Sequence, residues 1–304
     1  LRARADICEK SQILALFFDL QGGEQMNFTE YKRIANALKM QPSNKYSTWD
    51  NIMQLCLNMY EDNQDYLKYC LKLSKAVKLS AQRLLLQNRD VRFEDLYWQA
   101  VKFEAPHLFD SYLLYLERKR LEQDRFYSPK RKQLNKHGLI QSLQDLEDDK
   151  LDILSISMPP GTQKTTLEKF FASWIIGRHP DDFSLFFSHS GDITRMFYDG
   201  VMDITTNSDE YCWQEIFPDV KFHSTNAKRE TINFNKYKPF SNIQCTSVGS
   251  KNAGKVRANR YLYCDDLIGG IEEALNKNIL DKLWRIYGTD AKQRKMDGCK
   301  EIHI

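Results

Sequence analysis

Ile153-Leu154-Ser155-Ile156-Ser157-Met158-Pro159-Pro160-Gly161-Thr162-Gln163-Lys164-Thr165-Thr166 carries an apolar run into a tight turn, a lysine and two hydroxyls. Beyond it, Leu167, Phe170, Phe171, Trp174 and Ile175 share one face at helical spacing, and Gly177 with Pro180 is expected to stop the helix. A phosphate loop requires this order. The strand anchors the turn, backbone N–H groups and the helix N-terminus face the phosphates, a lysine reaches the β- and γ-phosphates, and the next hydroxyl holds Mg2+. Lys164 and Thr165 fit those two roles, and Pro160, Gly161, Thr162, Gln163 and Thr166 complete the loop around ATP. Against G-x-x-x-x-G-K-[ST], Met158 and Gln163 occupy the two glycine positions and Gly161 lies between them. An ordinary strand-to-helix turn capped by threonine is the competing reading.

Further along, Tyr261-Leu262-Tyr263-Cys264-Asp265-Asp266 is an apolar run closing on two carboxylates, the form of a Walker B strand. Asp265 is expected to hold Mg2+ with Thr165, and Asp266 to act as the general base toward the attacking water; a pair of solvated turn aspartates is the alternative. Asp is shorter than Glu by one C–C bond, about 1.5 Å. Glu272 and Glu273 are therefore the other candidates for the base. The segment Gly249-Ser250-Lys251-Asn252-Ala253-Gly254-Lys255-Val256 has both glycines and a lysine in register, but Val256 replaces the hydroxyl and no helix has room to follow. It reads as a decoy, a loop near the site from which Arg257 can approach phosphate or a neighbouring subunit.

The chain divides by composition. Residues 1–125 are rich in Leu, Lys, Gln, Asp and Tyr at helical spacing and read as all helix, the clearest element starting near Pro106 and running through Leu108, Tyr112 and Leu116. The charge run Glu117-Arg118-Lys119-Arg120-Leu121-Glu122 reads as its solvated face. At Tyr127-Ser128-Pro129 the pattern breaks, and Lys130-Arg131-Lys132 with Lys136 form the densest basic cluster, suited either to phosphate or DNA contact or simply to solubility. Residues 126–304 alternate short apolar runs with helical segments, the grammar of an α/β domain with a mainly parallel sheet. Strands are expected at 151–157, 183–188, 231–234, 243–248 and 261–264, with Glu301-Ile302-His303-Ile304 beginning another.

Composition limits the functions open to the chain. Its 304 residues give room for one large or two small domains, and 42% apolar with 28% charged residues excludes disorder. With Lys+Arg 44 against Asp+Glu 41, the net charge of +3 supplies no global basic field, so contact with nucleic acid needs a local patch. The seven cysteines are scattered without a C-x-x-C pair, which predicts thiols in a reducing compartment. No histidine pair has zinc spacing, no G-x-S-x-G elbow occurs, and no apolar run reaches the length of about 18 residues needed to span a membrane. The start, Leu1-Arg2-Ala3-Arg4, and the end within a strand suggest a piece of a longer protein.

From about His137 onward the order of motifs resembles the ATPase domain of the large terminase subunit, the DNA-packaging motor of tailed bacteriophages. The resemblance rests on His137-Gly138-Leu139 with Leu143, the Met158-Pro159-Pro160 opening, and Ser188-His189-Ser190 leading to Arg195. It continues through Gly254-Lys255-Val256-Arg257-Ala258 ahead of Asp265-Asp266, then Glu272-Glu273-Ala274, Leu283-Trp284-Arg285-Ile286-Tyr287 and Arg294. It departs where such loops usually carry Arg in place of Gly161 and Gly in place of Gln163, and in lacking a Pro after Asp266. The resemblance implies a RecA-like P-loop NTPase core (ASCE class), Mg-dependent ATP hydrolysis, and adenine contact by Gln141. It also implies an arginine, Arg195 or Arg257, supplied by a neighbouring subunit. Implied partners are double-stranded DNA, the portal protein, the small terminase subunit and further copies in a ring on the portal, in the cytoplasm of a bacterial host. A monomer in isolation is compatible with this. The C-terminal nuclease domain is absent from the chain, so no DNA cutting is expected, and residues 1–125 match nothing in the family. A helicase-like nucleic-acid-dependent ATPase and a non-catalytic assembly module with a degenerate loop are the rival readings.

Overall fold

The computed structural model describes residues 44–88, 90–159, 161–249 and 256–304. Contacts divide the chain into two compact units, one ending at Glu104 and the other running Ala105–Ile304.

The first unit is helical: α1 (Tyr46–Asp62), α2 (Leu67–Asn88) and α3 (Val91–Glu104). Their apolar stripes meet in one core, where Met53, Cys56, Cys70, Leu73, Val77 and Leu84 are fully buried beside Phe93 and Leu96. The Ser74 hydroxyl donates to the Ala100 carbonyl at 3.1 Å and fixes α2 on α3. A lysine and a carboxylate, Lys78 and Glu104, pair at the edge of that core.

The second unit begins earlier than the composition break at 125/126 suggests. Helix α4 (Phe109–Leu116) is buried along its length and packs within the α/β unit. Trp174 donates its indole N–H to the Ala105 carbonyl at 3.0 Å, and the Tyr112 and Ser173 hydroxyls meet at 2.6 Å. Residues 105–125 are helical in composition because they cover a helix, which the sequence pattern alone does not reveal. The charge run is not a helix face: α4 ends at Leu116 and Glu117 is 1% exposed. Its carboxylate accepts the amides of Phe126 at 2.9 Å and Tyr127 at 2.8 Å, at the start of α5 (Tyr127–Lys136). Those amides have no partner within the helix, and a negative charge is favoured at that end. Pro129 falls in the first turn, where it does no damage, so the expected break is a helix start.

After α6 (Leu139–Glu147) come β1 (Ile153–Ser155), α7 (Lys164–Arg178), β2 (Ser184–Ser188), α8 (Gly191–Thr206) and α9 (Trp213–Ile216). Then follow β3 (Phe222–Asn226), β4 (Thr231–Phe234), β5 (Ile243–Ser247), β6 (Tyr261–Asp265), α10 (Ile271–Leu275), α11 (Lys277–Ile286) and β7 (Lys300–His303). One seven-stranded sheet has the order β1-β7-β6-β2-β5-β4-β3. The strands from β1 through β5 in that order are parallel, and β4 and β3 add an antiparallel edge. The unit is thus an α/β domain with a mainly parallel sheet flanked by helices, as the alternating grammar predicts.

Strand β1 is shorter than 151–157 because it is an edge strand paired only to β7, and Ile153 is half-exposed. Strand β3 escapes sequence reading: its residues Phe222-His223-Ser224-Thr225-Asn226 are mostly exposed and carry no apolar alternation. Helix α7 is not the one-faced helix that Leu167 to Ile175 suggests, since every residue from Phe170 to Gly177 is buried. Gly177 is the penultimate residue of this helix, which ends at Arg178 as the Gly177 and Pro180 signals predict. A Cβ there would come 2.2 Å from the Phe217 ring, so glycine permits close approach of α7 to the segment after α9.

Candidate functional site

In a parallel sheet the carboxyl ends of neighbouring strands open on one edge, and loops there converge. The loop after β1 and the end of β6 lie on that edge, with β7 between their strands. The Thr165 hydroxyl donates to Asp265 Oδ2 at 2.7 Å across a separation of 100 residues, so the two proposed Mg2+ ligands touch. Asp265 is 4% exposed. Burial pushes its carboxyl above the usual range, Asp266 adds to the rise, and the Thr165 hydrogen bond and Lys164 oppose it. A buried carboxylate with a hydroxyl beside it suits a hard cation. No group of three or more His, Cys, Asp or Glu side chains poised for a metal occurs among the described residues. Two protein ligands suit an ion otherwise held by phosphate and water.

The loop itself is turned by two residues in the left-handed region, Gly161 (φ 77°) and Gln163 (φ 61°). Gly161 tolerates this freely; Gln163, as the N-cap of α7, does not have that freedom. Thr162 Oγ1 donates to the Pro159 carbonyl at 2.8 Å and closes the turn. Lys164 Nζ folds back on the Met158 carbonyl at 3.1 Å. The first backbone hydrogen bonds of α7 are those of Thr166 and Leu167 to the Gln163 carbonyl, which leaves the preceding amides of the loop pointing past the helix start. Pro160 and residues 250–255 of the decoy segment lie outside the described residues.

Asp266 occupies a different environment from its neighbour. Its side chain is 58% exposed, and its backbone is left-handed at φ 48°. That strain is held from two sides. The backbone N–H of His189 donates to the Asp266 carbonyl at 3.2 Å and the His189 ring Nδ1 lies 2.5 Å from the same oxygen, which fixes Nδ1 as the protonated nitrogen. The Asp266 amide donates to the Ile304 carbonyl at 3.3 Å. His189 thus holds the Asp266 turn, a contact that the motif pattern at the end of β2 does not reveal.

The remaining candidates separate. Glu273 Oε2 accepts the Gly269 amide at 2.7 Å, so it caps its own short helix, while Glu272 is exposed. A Cβ on Gly269 would meet both Glu273 and His189 at 3.1–3.3 Å, which puts Glu273 beside the Asp266 turn. Gln141 is exposed and donates to Asp145 at 2.8 Å, one turn on in α6. Arg195 is held by Asp199 and by the Ala227 carbonyl, both at 2.9 Å, at the β3–β4 hairpin. Arg257 precedes β6 and donates to the Gln293 carbonyl at 3.3 Å. Lying before the start of β6, it is at the opposite end of that strand from Asp265. It is not near the loop of its own chain, because β5 and β6 both run parallel to β2, so the start of β6 lies at the opposite end of the sheet from the strand ends that meet the loop.

Glu168 is a residue the sequence reading passes over as helix filler. It is 3% exposed, one turn into α7 from Lys164, and neither carboxylate oxygen has a hydrogen-bond partner. Burial, with Asp265 adding to it and Lys169 opposing, pushes its carboxyl well above the ordinary range.

No protein-family model matches the chain, and comparison with curated proteins finds no similar sequence.

Proposed function

We propose that residues 105–304 form a P-loop NTPase of the RecA-like class that hydrolyses Mg-ATP, and that the chain is the ATPase part of a viral DNA-packaging motor. The observation that carries the first half is the contact of Thr165 with Asp265 at 2.7 Å, beside a lysine at the start of a helix that follows a parallel strand. Hydrolysis of a phosphoanhydride is mainly positioning and neutralisation of charge. Lys164 and the loop amides bind the phosphates, and Thr165 and Asp265 hold Mg2+, which screens phosphate charge when bound. Asp266, exposed to water and set by His189, takes the proton from the attacking water; Asp265, buried, is left to the metal.

The packaging half of the proposal rests on the order of motifs from His137 to Arg294. Double-stranded DNA, the portal protein, the small terminase subunit and a ring of copies are its proposed partners, in the bacterial host cytoplasm at the portal. No helix among the described residues is long and apolar enough to cross a membrane. Arg195 is the better placed of the two arginines to serve a neighbour's site, because it lies on the same sheet edge as the loop.

Calorimetric titration of Mg-ATP into the wild type and Lys164→Ala tests the reading. Binding by the wild type and its loss in the variant is expected; no binding by either supports a non-catalytic assembly module. Portal-stimulated hydrolysis by the wild type separates a packaging motor from a helicase, for which strand separation is the readout.

A further inference from the structure

The densest basic cluster is not uniformly solvated. Arg131 is held by Asp110 through two bonds, Nε at 2.9 Å and Nη2 at 2.6 Å, and Lys132 is exposed. Lys130 instead reaches the phosphate loop: its ammonium donates to the side-chain oxygen of Gln163, the residue immediately before Lys164. Its stem is steered by Phe126, whose ring centroid lies 4.5 Å from Nζ and which packs edge-on against Phe170 of α7. The helix that carries it is anchored by Glu117 at its first amides and by the Arg131–Asp110 pair, so the ammonium is delivered to the loop by a fixed element.

Two ammonium groups thus converge on this loop, Lys164 on the Met158 carbonyl and Lys130 on the Gln163 amide oxygen. Neither forms a salt bridge with a carboxylate among the described residues. Both rest on neutral acceptors. A phosphate oxygen is a stronger acceptor for an ammonium than an amide oxygen, since charge-assisted hydrogen bonds are roughly twice as strong as neutral ones. We propose that Lys130 is a second phosphate-binding lysine of the site, brought to Gln163 by α5 and within reach of the phosphates of a nucleoside triphosphate seated on the loop. This rests on the phosphate-loop reading above. It also gives Gln163 a function at a position where its left-handed backbone favours glycine: its side chain holds the ammonium in place.

The test is calorimetric titration of Mg-ATP into the 304-residue chain as wild type, Lys130→Met, Lys130→Arg and Lys164→Ala. Methionine keeps an unbranched apolar stem over Phe126 and removes only the charge. The expected result is about tenfold weaker binding in Lys130→Met, equivalent to about 1.4 kcal/mol, with most of the loss restored by arginine. Lysine-selective methylation gives a readout independent of any variant: Mg-ATP should protect Lys130 in the wild type and fail to protect it in Lys164→Ala. Wild-type binding that is lost in Lys164→Ala but kept within about twofold in Lys130→Met overturns the role of Lys130 and leaves the phosphate loop standing. Equal labelling of Lys130 with and without Mg-ATP overturns it as well. Absence of binding by the wild type removes both.

Discussion

Asp265 and Asp266 are adjacent in sequence and opposite in environment, and the division of labour proposed for them follows from that. The first closes β6, a strand buried along its whole length, and lies against Thr165, while a left-handed turn swings the second out to water. Asp266→Asn should lower ATP turnover by about 100-fold or more while Mg-ATP binding is kept, since proton transfer typically contributes that much and the metal ligands are intact. Glu273→Gln should keep turnover within a few-fold of wild type, because its carboxylate serves the Gly269 amide. Steady-state rates and calorimetric affinities of the two variants check this, and the reverse ranking would move the base to Glu273. The acidic pair and the Lys164-Thr165 pair were legible as residues. Their contact was not, because the sequence says nothing about which strands lie side by side.

Helix α7 links the loop to the core, and its packing sets how firmly the loop is held. Glycine inside a helix ordinarily lowers stability by about 1 kcal/mol relative to alanine. At Gly177 the sign reverses, since an added Cβ would lie 2.2 Å from Phe217 and one of the packed segments must move. Gly177→Ala should therefore destabilise the protein by roughly 1–3 kcal/mol in urea unfolding, a typical cost of overpacking. A sequence reading takes this glycine for part of a helix stop because glycine and a following proline are stop signals, and the helix does end one residue later, at Arg178. What the sequence does not show is that Phe217 packs against this glycine. Likewise Glu117 reads as surface charge within a charge run, and it is buried because the amides that begin α5 need an acceptor.

Across the α/β unit, one buried carboxylate ties three elements together. Glu147, at the end of α6, accepts from Arg178 at 3.1 Å, His179 at 2.6 Å, Arg260 at 2.7 Å and the Tyr261 hydroxyl at 2.9 Å. Burial pushes its carboxyl up, but the hydrogen bonds and charges of His179 and Arg260 outweigh this and hold it at about 2. A carboxyl depressed in the folded state contributes stability that is fully present above its unfolded value, about 4.3, and is lost as pH falls toward its folded value. Glu301 is also held at about 2, by Lys295, Tyr287 and His303 against burial, and adds to the same window. Unfolding free energy should thus fall between about pH 4.5 and pH 2, and Glu147→Gln should lower stability at pH 7 and reduce that fall. Urea titrations at a series of pH values check both; an unchanged acid slope in the variant would remove Glu147 from the account.

Local patterns were enough to establish an α/β class, six of the seven strands, the helix after the loop and the residue types of the site, because strand and helix periodicity and turn chemistry are short-range properties. Tertiary structure decided the rest. It moved residues 105–125 into the α/β unit by covering α7 with α4, added the exposed strand β3, and put Arg257 at the wrong edge of the sheet for its own loop. It also brought Thr165 to Asp265, His189 to Asp266 and Lys130 to Gln163. Each of these depends on strand order and helix packing between residues far apart in the chain, which no local pattern encodes.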